Sequence, residues 1–230
     1  MNTRQLSVSL AVSLAVATVA LGGPTVPFTE TFDTGASNWL TGDFAPPTTF
    51  ATGGVGDSGF IRSFTGFQFN DPESLNVIFR GNKGFFPGTD ASDGAFIGDW
   101  IDAGVTNLSF AVRHNIPGPV TFFARIAADT FGAAFPGAVA VAFQPVFAGQ
   151  WATISIDIDP NNPAFVTFEG STFESVFSNV GFIQIGVIAP DALLGNPTIW
   201  DVDLDQVSII PAPAALLALA PVLAGVRRRR

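Results

Sequence analysis

The sequence predicts an all-β protein, an antiparallel sandwich. Three observations carry this: short runs in which apolar and polar residues alternate, frequent Gly (24) and Pro (17) between those runs, and Phe (24) as the dominant aromatic residue. With only 13% charged residues, the composition suits short strands joined by tight turns rather than long helices.

Strands are predicted at 28–32, 60–64 and 75–80. The next two candidates are 107–114 and 120–126. The run at 107–114 places Leu108, Phe110 and Val112 on one face and Asn107, Ser109, Ala111 and Arg113 on the other. Further candidates follow at 138–143, 151–159, 181–188 and 198–209. In 151–159, Ile154, Ile156 and Ile158 alternate with Ser155, Asp157 and Asp159. One helical turn is predicted at Ser171-Thr172-Phe173-Glu174, a capping-box spacing ahead of Val176 and Phe177. No fixed-period repeat divides the chain, so a single domain is expected over 24–210.

The 230 residues include no Cys, which removes disulfides, thiolate metal sites and a cysteine nucleophile. Tyr is absent as well, and Trp occurs four times. Between Pro24 and Ile210 there are 19 acidic and five basic side chains, a formal charge of −14. Such a surface disfavours nucleic acid, whose backbone needs a basic partner, and favours a cation.

The two ends differ from the middle. Residues 1–23 read as a signal peptide, with Arg4 in the n-region, an apolar run over 6–21, and small residues at Ala17, Ala20, Gly22 and Gly23. At the other end Pro211, Ala212 and Pro213 precede an apolar stretch that closes on Arg227, Arg228, Arg229 and Arg230. A helix over 212–226 would be about 22 Å long, against a hydrocarbon core of about 30 Å. The terminal arginines favour a cytoplasmic end for it.

This tail resembles the PEP-CTERM sorting signal of exported bacterial proteins. The resemblance implies processing by an exosortase-type membrane protease near Pro213, with attachment at the inner membrane before release to the cell surface. Ala212 stands where the family's motif has Glu, and a retained membrane anchor is the alternative. Between the ends, Glu30-Thr31-Phe32-Asp33 with Gly35 and Trp39, Gly149-Gln150-Trp151, and the run 200–209 are similar to jelly-roll modules of the galactose-binding or carbohydrate-binding type, and to laminin-type domains. That likeness implies paired first and last strands and a non-catalytic role in adhesion or polysaccharide association. It further implies a structural calcium ion held by Glu30 and Asp205, with Asp33 and Asp203 as additional ligands.

The acidic residues permit other readings. Asp201, Asp203 and Asp205 share one face of a strand; if that strand is regular, Val207 and Ile209 share it too. Buried carboxylates must be protonated, paired or bound to a cation. A β-bulge near Asp205 would instead reverse the parity and turn all three outward. A carbohydrate-active hydrolase would need an acidic pair such as Asp157 with Asp159 or Asp201 with Asp203. His114, the single histidine, reads as a polar strand-end residue, and the stretch 90–99 reads equally as a turn or a calcium loop. Trp39 and Trp151 are expected in the core; Trp100 and Trp200, flanked by acids, are the expected sugar-stacking residues. A purely structural envelope component is the remaining alternative.

Overall fold

The computed structural model describes residues 23–130, 136–142 and 144–212. Twelve strands are seen among them: β1 (Phe28–Glu30), β2 (Leu40–Thr41), β3 (Thr48–Phe50), β4 (Phe60–Gly66), β5 (Leu75–Asn82), β6 (Val105–His114), β7 (Phe122–Ala128), β8 (Gly137–Val141), β9 (Ala152–Asp157), β10 (Phe165–Phe168), β11 (Val180–Ile188) and β12 (Ile199–Pro211). They form two antiparallel sheets. The first runs β3-β4-β12-β6-β9, with β1 also paired to β12; the second runs β10-β8-β7-β11-β5-β2. The predicted sandwich and the pairing of first and last strands are both observed.

Alternation decides which side chains fill the space between the sheets. On β6 Leu108, Phe110 and Val112 are buried, and on β9 Ile154 and Ile156 are buried while Thr153, Ser155 and Asp157 are exposed. The inward residues of β7 and β11, including Phe122, Ile126, Ile183 and Ile185, complete the same core. Trp39 is sealed into it against Gly81, where a Cβ would lie 2.7 Å from the indole ring, so only glycine fits. The helical turn forms as α1 (Phe173–Phe177) one residue later than predicted: Thr172 is the cap, and Ser175, not Glu174, completes the box.

The bulge in β12 does form. Between Asp205 and Ser208 the register with β6 slips by one residue, and Gln206 takes φ 47°. There β12 changes neighbour on one edge, from β4, which pairs through Leu204, to β1, which pairs from Val207. Parity reverses as anticipated, so Val202, Leu204, Val207 and Ile209 all face the core. The aspartates lie on the opposite face, but Asp203 and Asp205 are not turned to solvent; both are buried by groups laid over that face.

The last strand runs one residue beyond the predicted domain end, and the Ala212 N–H donates to the Gly104 carbonyl at 3.1 Å. The predicted signal segment up to residue 22 and the tail from Pro213 onward lie outside the described residues. Among the described residues no helix is long and apolar enough to cross a membrane.

Candidate ligand-binding surfaces

The four predicted metal ligands separate into three environments. Glu30 is clamped by protein donors, with Oε1 accepting from the Phe32 N–H and Oε2 from Ser92 Oγ. Asp203 sits between two arginines: Arg62 donates Nε to Oδ1 at 2.6 Å, and Arg113 donates Nε to Oδ2 at 2.8 Å. Two guanidinium groups already neutralise it, so the expectation that scarce cations leave this carboxylate to a metal is corrected. Asp203 raises the Arg62 pKa through that hydrogen bond, and Asp201 completes the group at 3.2 Å from Arg62 Nη1.

Only Asp33 and Asp205 come together. Asp205 Oδ2 accepts from the Val55 N–H at 2.8 Å and Ser58 Oγ at 2.6 Å, tying the 55–58 turn into the gap left at the bulge. Burial pushes its carboxyl above the usual range despite these donors, and the charge of Asp33 adds to the rise. Asp33 itself is held low by the Gly59 N–H. Asp205 Oδ2, the Gly59 carbonyl and Ser58 Oγ converge on Gly54, where a Cβ would stand 2.5, 2.5 and 2.7 Å from them. These oxygens crowd the Gly54 Cα, so only glycine fits there. Among the described residues no group of three or more His, Asp or Glu side chains is arranged to hold a metal ion.

The tryptophan expectations are reversed in part. Trp100 is fully buried, its Nε1 donating to the Phe96 carbonyl at 2.8 Å, and Trp200 is 6% exposed against Phe67. Neither has a free face for a sugar. Trp39 is a core residue as expected, whereas Trp151 lies on the outer face of the first sheet under Arg113. His114 is buried, with Nε2 on the Val146 carbonyl, and burial lowers its pKa. The proposed acidic pairs are engaged in local contacts: Asp157 accepts from Asn107, and Asp159 from the backbone and side chain of Asn161. The 90–99 stretch is a turn, in which Asp90 accepts from the Gly84 N–H and Asp99 from the Asp102 N–H.

Two surfaces remain that the sequence did not single out. One is a cleft of about 400 Å³ at the open side of the sandwich, between the part of β4 that β3 leaves uncovered and the start of β5. Phe64, Phe69 and Ile199 border it, 56%, 92% and 63% exposed, beside Asp43, Asn70 and Asn76. Asn70 and Asn76 hydrogen-bond to each other, which fixes both amides at the cleft wall.

The other surface is the outer face of the second sheet. Cross-strand register places Arg80 of β5, Gln184 of β11 and Arg125 of β7 side by side. Arg125 Nη1 donates to Gln184 Oε1 at 2.9 Å, and Arg80 Nε donates to the Gly42 carbonyl. Arg80 lies 4.3 Å from the Phe44 ring centroid and Arg125 4.8 Å from that of Phe168. Gly137 lets the Phe168 ring lie close to the sheet, since a Cβ there would be 2.4 Å from it. Partial burial lowers the pKa of both arginines, and for Arg80 the charge of Arg125 lowers it further. A signal for part of this row was present: Arg125 and Gln184 are each the lone polar residue inside an apolar strand.

No family model and no curated protein matches the chain. Solved structures with a similar course of strands exist. An exo-β-agarase aligns over 82% of this chain and 26% of its own, at 11% identity and a TM-score of 0.49. The C-terminal family 22 carbohydrate-binding module of Clostridium thermocellum Xyn10B aligns over 81% and 94%, at 10% identity and 0.46. The family 30 module of a cellulosomal cellulase from the same organism aligns over 84% and 95%, at 12% and 0.43. The chain thus spans under a third of the agarase and nearly the whole of either module.

Proposed function

We propose that this chain is an exported, non-catalytic polysaccharide-binding module displayed at the cell envelope. The observation that carries the proposal is the cleft beside β4, where exposed phenylalanine rings stand next to fixed amides. Sugars present apolar C–H faces and a rim of hydroxyls, and such a site meets both. Asp43 is the one carboxylate on the cleft wall, whereas glycoside hydrolysis requires two facing each other. In this cleft the binding reading is therefore favoured over the hydrolase. Export, processing by an exosortase-type protease and membrane attachment before release belong to the same proposal and rest on the resemblance of the two ends.

Glycan-array screening of the purified full chain, followed by titration of the hits, tests the binding reading. Phe69→Ala and Phe64→Ala should each weaken binding at least tenfold without changing the melting temperature, because both side chains are exposed. Binding to no polysaccharide, or equal binding by both variants, would contradict it.

A structural calcium at Asp33 and Asp205 is a second proposal, favoured by the raised Asp205 carboxyl, to which the charge of Asp33 contributes, with the Ser58 hydroxyl alongside it. Calcium accepts carboxylate, carbonyl and hydroxyl oxygens of this kind, and its charge would relieve the repulsion between the two acids. Chelation should then lower the melting temperature, and restored calcium should recover it. An unchanged value would remove the ion from the account.

A further inference from the structure

Five basic residues lie in the described domain, and three of them are committed to carboxylates. Arg62 and Arg113 hold Asp203, and Lys83 holds Asp129. The remaining two, Arg80 and Arg125, have no carboxylate within ion-pair distance among the described residues, although Asp43 and Glu169 are near enough to be felt as charges. Both lie in one row across the outer face of the second sheet. In a domain so acidic, the two cations without an ion pair among the described residues stand together and half-buried, each with one side-chain hydrogen bond, from Arg80 Nε to the Gly42 carbonyl and from Arg125 Nη1 to Gln184 Oε1, which leaves a charge that the protein itself does not answer.

The first sheet shows what such a row accepts. There Arg62, Asp203 and Arg113 are cross-strand neighbours in the same arrangement, and the central carboxylate is gripped from both sides. In the second sheet the central position is Gln184, which takes one N–H from Arg125, while Arg80 donates only Nε, to the Gly42 carbonyl, and neither arginine meets a carboxylate at ion-pair distance among the described residues. A carboxylate from outside would find the terminal nitrogens of Arg80 and the remaining N–H groups of Arg125. We propose that the Arg80–Gln184–Arg125 row is a second binding site, distinct from the cleft, for the carboxylates of an extended acidic polysaccharide.

Spacing favours a polymer over a small acid. Neighbouring strands lie about 4.8 Å apart, so the backbones that carry the two arginines stand about 10 Å apart across β11. The advance per sugar in an extended 1,4-linked chain is close to one strand spacing. Such a chain running across the strands presents alternate uronate groups, on one side of its ribbon, to Arg80 and then Arg125. Gln184, 6% exposed, lies beneath the sugar between them. Phe44 and Phe168 support the guanidinium planes from the sides and leave their edges outward.

The test is titration of the full chain with mannuronate oligosaccharides at low and high salt, beside mannuronate monomer and neutral xylo-oligosaccharides. Wild type should bind the acidic oligomer, lose affinity as salt rises, and bind the monomer far more weakly. Gln184→Glu fills the row with an internal carboxylate, as Asp203 does, and should weaken oligomannuronate binding at least tenfold with no fall in melting temperature. Arg125→Gln should weaken it to a similar extent, while Phe69→Ala should leave it within twofold. No binding by wild type at low salt, or equal binding by Gln184→Glu, would overturn the proposal. Loss in Phe69→Ala with Gln184→Glu intact would place the acid in the cleft and overturn it too. Neutral oligosaccharide binding lost only in Phe69→Ala leaves the cleft proposal standing on its own.

Discussion

The outer faces of the two sheets carry rows of the same construction, Arg62–Asp203–Arg113 on the first and Arg80–Gln184–Arg125 on the second. In both, arginines lie against phenylalanine rings; Arg62 is 4.9 Å from Phe50 and Arg80 is 4.3 Å from Phe44. The difference is the central residue. Where it is a carboxylate, the row closes on itself and braces three strands and the 53–60 segment, since Arg113 and Trp151 both donate to the Gly53 carbonyl. Where it is an amide, the charges stay open. One geometry thus yields a strut or a binding surface according to whether the protein supplies the anion.

The largest expected effect is on the strut. Asp203→Ala strands two partly buried guanidinium groups and should cost about 3 kcal/mol in urea unfolding; a loss under about 1 kcal/mol would mean the row does not brace the sheet. Gln184→Glu should move in the other direction, gaining about 1 kcal/mol by supplying a charged acceptor between two cations. A clear loss instead would show that the second row tolerates no internal charge. Arg125→Gln removes one neutral-acceptor hydrogen bond and no ion pair, so it should change stability by less than about 1 kcal/mol.

Smaller effects come from two buried titrating groups. Burial lowers the His114 pKa, so the unfolded chain takes up its proton first, and stability is lost as pH falls below about 6.5. Asp205 has the opposite sign. Its native pKa is raised above the ordinary value of 3.8, so the folded state binds the proton more tightly and stability falls as pH rises through that interval. His114→Gln should flatten the first slope and Asp205→Asn the second, measured as unfolding free energy against pH. Unchanged slopes would show that neither group differs between the folded and unfolded chain.

Much of the fold was legible from period-two alternation, as in β9 with its one buried and one wet face, while β7 and β11, buried on nearly every residue, were legible as short apolar runs. The short strands β2, β3 and β10 were not, since two to four residues carry too little pattern and exist only because a neighbouring strand needs a partner. The site was less legible. Trp100 and Trp200 drew attention as large rings beside acids, yet tertiary packing buries both, and the exposed rings are phenylalanines such as Phe69 that resemble core residues in sequence. Asp203 looked like a metal ligand because cations are scarce, but two of the five stand directly across from it. Which carboxylate meets which arginine is a matter of cross-strand register, and the bulge at Gln206 moves that register by one.

The comparison of the two rows is tested most directly by mapping arginine reactivity. The full chain would be treated with phenylglyoxal and digested, and the modified arginines quantified with and without mannuronate oligosaccharides. Arg80 and Arg125 should react readily and be protected by the acidic oligomer, while Arg62 and Arg113, already held by Asp203, should react slowly in both conditions. Equal reactivity of the two pairs, or protection of neither Arg80 nor Arg125, would contradict it.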